Sequence, residues 1–97
     1  MKTIAVLPAE ILREEFLKPF GISAYKLAKE TKMPMTRISD ILNGKRKITI
    51  DTALRLSKYF GNSVEFWIGI QNEYDIRTEK ASLQKQLNEI QPMIAAN

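Results

Sequence analysis

Lys45-Arg46-Lys47 places three cations in a row, directly after a short amphipathic segment that opens at Pro34 and closes at Asn43-Gly44. Consecutive cations suit phosphate, which they neutralise without regard to base identity. Met35, Thr36 and Arg37 stand at the start of the same segment. A threonine hydroxyl can bond a base edge, a methionine can touch a thymine methyl, and an arginine can grip guanine with two N–H groups. The plainer alternative for Arg37 is a surface ion pair with Asp40. Ser39, Asp40 and Asn43 complete the outward side. The candidate DNA contacts are therefore Pro34, Met35, Thr36, Arg37, Ser39, Asp40, Asn43, Lys45, Arg46 and Lys47.

Composition removes the competing chemistries. The chain has no Cys and no His, so disulfides, thiolate zinc sites, the usual general base and the commonest metal ligand are all missing. Asp40, Asp51 and Asp75 have neither paired-carboxylate nor metal-ligand spacing, so no catalytic residue, metal or cofactor is expected. Net charge is +4, and it is concentrated: residues 1–62 carry twelve Lys/Arg against six Asp/Glu, whereas residues 63–97 carry three against five. Between residues 26 and 47 the ratio is seven to two. A basic stretch confined to one part of the chain is the electrostatic footprint of a nucleic-acid binder. Ninety-seven residues make one domain with a modest core. No apolar run approaches a membrane span, and Met1 to Pro8 is too short for a secretory signal, so a cytoplasmic protein is expected.

The elements that must position these residues are all helical. Pro8 opens a first helix with Ile11, Leu12, Phe16 and Leu17 on its apolar stripe, and Pro19 is expected to end it. Ser23 caps a second helix over Ala24 to Thr31, with Tyr25, Leu27 and Ala28 turned inward. Lys32-Met33-Pro34 is the connection. The third helix covers Met35 to Leu42, with Ile38, Ile41 and Leu42 inward, and Asn43-Gly44 supplies a left-handed stop. Thr49 caps a fourth, Ile50 to Phe60, that buries Ala53, Leu54, Leu56 and Phe60 and stops at Gly61. Ser63 caps a fifth containing Val64, Phe66, Trp67, Ile70 and Tyr74, with Trp67 read as core. Beyond it, Ile76, Leu83, Leu87, Ile90 and Ile94 form a helical stripe that either packs back or meets a second subunit. Residues 1–75 thus form the DNA-binding domain and 76–97 a helical extension.

Two helices joined by so short a turn meet steeply, and the second can lie in the major groove. Ala28 is small where they touch. The run Leu27-Ala28, Met33, then Arg37-Ile38-Ser39-Asp40-Ile41-Leu42-Asn43-Gly44-Lys45-Arg46 resembles the lambda-repressor or Xre-type helix-turn-helix domain. Pro8-x-Glu10-Ile11-Leu12, Glu15-Phe16-Leu17-Lys18-Pro19, Gly21-Ile22-Ser23, Asp51-Thr52-Ala53-Leu54-Arg55-Leu56 and Phe66-Trp67-x-x-x-Gln71-x-x-Tyr74-Asp75 together resemble the HigA antitoxin family, over about residues 7–76. The resemblance implies an all-α fold of about five helices, a HigB-type toxin as partner (a small ribosome-dependent mRNA endonuclease), and repression of the shared operon. The chain departs from the family at Leu7-Pro8-Ala9-Glu10, where His-Pro-Gly-Glu is common. It departs again at Lys32, which stands at a turn position often held by Gly and must take a left-handed or strained backbone.

The reading is a homodimeric antitoxin and repressor on a palindromic operator, with no enzymatic activity. Two rivals share the fold: a stand-alone Xre-type regulator without a toxin, and an interaction adaptor that has lost DNA binding. Retention of Arg37 and Lys45-Arg46-Lys47 counts against the adaptor. Glu10, Glu14 and Glu15 could receive a basic toxin, or simply form a solvated helix face.

Overall fold

The computed structural model describes residues 7–94; Met1 to Val6 and the final Ala95-Ala96-Asn97 lie outside them. The described residues form five helices, with no strand among them. Helix α1 is continuous through three stretches: α-helical Pro8–Ile11, π-helical Leu12–Leu17 and α-helical Lys18–Phe20. Pro19 does not end it, contrary to the sequence expectation. In an α-helical turn the Pro19 ring would press on the Glu15 carbonyl. Here the Lys18 N–H reaches back to the Arg13 carbonyl, and the wider turn gives that ring room. The stop comes at Gly21, left-handed at φ 64°, where the Ile22 N–H bonds the Leu17 carbonyl at 2.9 Å.

Helix α2 is Ala24–Thr31, capped by Ser23 Oγ accepting from the Lys26 N–H at 3.0 Å. It buries Leu27, Ala28 and Thr31. Tyr25 is not inward: it is 69% exposed, because it lies two residues from Leu27, about 200° around a helix. Lys32 then takes φ 60°, and among the described residues it alone has positive φ without being glycine. Pro34 is extended and starts α3, Met35–Leu42. Ile38 and Ile41 are buried on its inner side, with Leu42 half-buried. At its end Gly44 is left-handed at φ 74°, whereas Asn43 is not, at φ −91°.

Helix α4 is Ile50–Phe60, capped by Thr49 and closed by left-handed Gly61. It buries Ala53 and Leu56, but Leu54 is 52% exposed, being displaced by two residues from Leu56 to the opposite side. Helix α5 is Val64–Asn88, capped by Ser63 Oγ at 3.0 Å from the Phe66 N–H. Its Trp67 lies at the centre of the core, fully buried, and donates Nε1–H to Asn62 Oδ1 at 2.8 Å. Phe16 and Phe60 pack on it with ring centroids 4.8 and 5.9 Å away. Helix α5 runs unbroken through Asp75, but beyond that residue every described side chain except Leu83 is exposed. The apolar stripe from Ile76 therefore does not fold back on the core.

Lys32 carries the main backbone strain. A left-handed L-residue costs about 1–2 kcal/mol, part of which glycine returns to the unfolded chain as entropy. Lys32→Gly should therefore raise stability by up to about 1 kcal/mol, while Lys32→Val should lower it. The urea midpoint at unchanged slope is the measurement.

Candidate nucleic-acid interface

The first turn of α3 projects from the core. Pro34, Met35 and Thr36 are exposed, no side chain caps the helix, and the Met35 and Thr36 amides precede its first hydrogen bond, from Arg37 N–H to the Pro34 carbonyl, which leaves a positive end. Ser39 and Asp40 are half-buried along its flank, and Asn43, Lys45, Arg46 and Lys47 are exposed past its end. The ten sequence candidates thus occupy one continuous run, from the start of α3 through the loop that follows it.

Arg37 is the exception in its surroundings. Its partner is not Asp40 but Asp51, fourteen residues away, with Nη1 donating to Oδ1 at 2.7 Å. Arg55 Nε donates to the same oxygen at 2.8 Å, and Arg55 Nη1 donates to the carbonyls of Thr31 and Lys32, each at 3.0 Å. One carboxylate thereby links the start of α3, the start of α4 and the end of α2. The Arg55 hydrogen bond, and next that of Arg37, holds the Asp51 carboxyl below its usual 3.8. At the other end of α3, Arg13 Nη2 donates to the Leu42 carbonyl. The spacing of Asp51 and Arg55 at i, i+4 signals a helical pair. Nothing local signals that Arg37 joins them or that Arg13 reaches Leu42.

The cationic loop is anchored from beneath. Ile48 is buried, and its N–H donates to Gln71 Oε1 at 2.9 Å; Gln71 Nε2 donates in turn to Asp75 Oδ1 at 3.1 Å. The second oxygen of Asp75 pairs with Lys47 Nζ at 3.2 Å. The charge of Lys47 is therefore partly met within the chain. Lys45 and Arg46 have no ion-pair partner among the described residues.

Among those residues no group of His, Cys, Asp or Glu could hold a metal, and no helix is long and apolar enough to cross a membrane. The model of a protein family described as "Helix-turn-helix" matches residues 13–67, which runs from Arg13 to the core Trp67. The chain is 30% identical to Antitoxin HigA-1 of Vibrio cholerae over 90% of its length and 82% of that protein's. The structure of Pseudomonas aeruginosa antitoxin HigA with the higBA promoter is 40% identical, covers 94% of this chain and all of that one, and superposes with a TM-score of 0.89. The chain belongs to the HigA-type helix-turn-helix family. Virulence-associated protein I of Dichelobacter nodosus is 45% identical over 92% of this chain and 82% of its own length. This helix-turn-helix family comprises DNA-binding regulators rather than enzymes. Within it, the frame of Arg13, Arg37, Asp51 and Arg55 is how this member fixes its second and third helices.

Asp51→Asn and Arg55→Ala test that frame. Arg55→Ala strips two carbonyl bonds from the end of α2 and should cost about 1–3 kcal/mol of unfolding free energy. The Asp51 carboxyl ionises more readily folded than unfolded. Its contribution is present above the ordinary 3.8 and is lost as pH falls through the lowered folded value. Denaturant titrations should show a constant gap between wild type and Asp51→Asn from neutral pH down toward 3.8, and a narrowing gap below it.

Proposed function

We propose that this chain is the antitoxin of a toxin–antitoxin pair, which neutralises a HigB-type mRNA endonuclease and represses their common operon. The observation that carries the DNA half of this reading is the exposed turn Pro34-Met35-Thr36 set beside Lys45 and Arg46, which have no ion-pair partner among the described residues, on a scaffold 40% identical to an antitoxin solved with promoter DNA. In this assignment Thr36 and Met35 meet base edges in the major groove, while Lys45 and Arg46 bind the flanking phosphates. Ser39, Asp40 and Asn43 border the same groove. Lys47 contributes less than its neighbours, since Asp75 meets its charge.

One module of this kind reads a single half-site, so a palindromic operator calls for a two-fold dimer. The surface assigned to the second copy is the stripe of α5 at Ile76, Leu83 and Leu87, continued by Ile90; among the described residues its side chains are exposed, apart from half-buried Leu83. Toxin capture needs contacts rather than chemistry, and it uses residues outside α3 and the loop. The site of action is the cytoplasm, where both operator and ribosome are found.

Two experiments test the halves separately. Co-expression with the toxin from the adjacent reading frame should relieve growth arrest, and relief should survive a Lys45→Ala/Arg46→Ala variant that no longer binds operator. Unrelieved arrest with wild-type protein would leave a stand-alone regulator. In binding titrations Lys45→Ala should weaken operator and scrambled duplex alike and flatten the salt dependence by about one unit per half-site. Thr36→Ala should cost roughly 1–3 kcal/mol on operator and much less on scrambled DNA.

A further inference from the structure

We infer that Asp51 is a specificity-determining residue: it holds Arg37 as a strut that sets the recognition helix, so that reading a sequence depends on an acid that itself opposes DNA binding. The inference rests on the operator-binding reading above. Its basis is geometric. Arg37 stands in the first turn of α3, where an unhindered arginine would extend toward a groove. Instead its side chain is 21% exposed, and Nη1 is 2.7 Å from Asp51 Oδ1. Asp51 is held in turn by Arg55, whose guanidinium also closes the end of α2. One carboxylate oxygen thus ties the first turn of α3 to α4 and, through Arg55, to the end of α2. Base readout tolerates only small displacements of the side chains that perform it, so a loosened first turn loses discrimination before it loses contact.

The charge of Asp51 makes the inference separable from a general structural role. A carboxylate beside the DNA-facing turn repels phosphate on every duplex, whatever its sequence. Removing it relieves that repulsion for operator and scrambled DNA equally. Removing the strut penalises the operator alone. The two effects have opposite signs, and only their combination changes specificity.

The test is a titration of wild type, Asp51→Asn, Asp51→Glu, Arg37→Lys and Arg37→Ala against operator and scrambled duplex, each variant first shown to melt cooperatively. Asp51→Asn should bind scrambled duplex as well as or better than wild type and operator about tenfold less well or worse. Asp51→Glu keeps a carboxylate for both arginines and should retain most of the preference, which covers the case of a poorly folded Asp51→Asn. Arg37→Lys keeps the ion pair but lacks the two-pronged grip on guanine, and should stay within about threefold of wild type on operator. If Asp51→Asn tightens both duplexes by the same factor, the acid is only a surface charge and the inference falls. It falls equally if Arg37→Lys loses operator as fully as Arg37→Ala, since Arg37 is then a direct reader. A wild-type protein that prefers no duplex overturns the operator reading itself.

Discussion

The left-handed backbone at Lys32 is the constraint on which the rest of the molecule depends. The chain has three residues, Lys32 to Pro34, in which to leave α2 and enter α3; Pro34 cannot take a positive φ, and it disfavours helical geometry at Met33. The reversal must therefore fall on Lys32, at φ 60°. An L-residue there costs about 1–2 kcal/mol. Arg55 offsets this by donating to the carbonyls of Thr31 and Lys32, at about 1 kcal/mol net for each bond. Strain and hydrogen bonding are of the same order, so a turn that glycine would enter freely is held in place by a guanidinium.

The two arginines that bind helix ends give the fold its directionality. Arg55 from α4 closes the C-terminal end of α2, and Arg13 from α1 reaches the Leu42 carbonyl at the end of α3. Helix C-termini carry unpaired carbonyls and partial negative charge, which suits both contacts. Leu27, Ala28, Met33, Ile38 and Ile41 supply the buried area between the paired helices, and the arginine contacts fix their ends. With both C-terminal ends held inside the frame and Arg37 tied to Asp51, what α3 leaves to solvent is the outer face of its first turn. That is the turn with exposed amides and the side chains Met35 and Thr36.

Local chemistry made much of this legible in the sequence. Ser23, Thr49 and Ser63 accept the capping bonds their types suggest, and glycine stops at Gly44 and Gly61 bound α3 and α4. What escaped was either a change of helical register or a contact distant along the chain. Pro19 reads as a terminator because the spacing of side chains does not reveal a π-helical turn. Tyr25 and Leu54 read as core because an apolar residue one step off a stripe looks like part of it. For Arg37, read as a DNA contact, the nearest acid in sequence is Asp40, whereas its partner Asp51 reaches it only through the packing of α4 against α2 and α3. Gln71 entered only as part of the family pattern and its role gave no signal, since an amide that bonds a loop N–H from within the core has no characteristic spacing.

That amide explains how one helix serves two different physical demands. Up to Asp75, α5 is structural: Trp67 fills the core, Gln71 fixes Ile48, and Asp75 pairs with Lys47, so the cationic loop is tied to the helix beneath it. Past Asp75 the same helix has left the core, and the 25 residues of α5 as a whole span about 37 Å at the α-helical rise, most of the 51 Å long axis. Ile76 there is 61% exposed, and apolar side chains repeated along one helix face in water are stabilised when something covers them. Reading a base sequence requires residues that do not move, whereas receiving a partner requires surface not already buried. Asp75 stands where the first requirement gives way to the second.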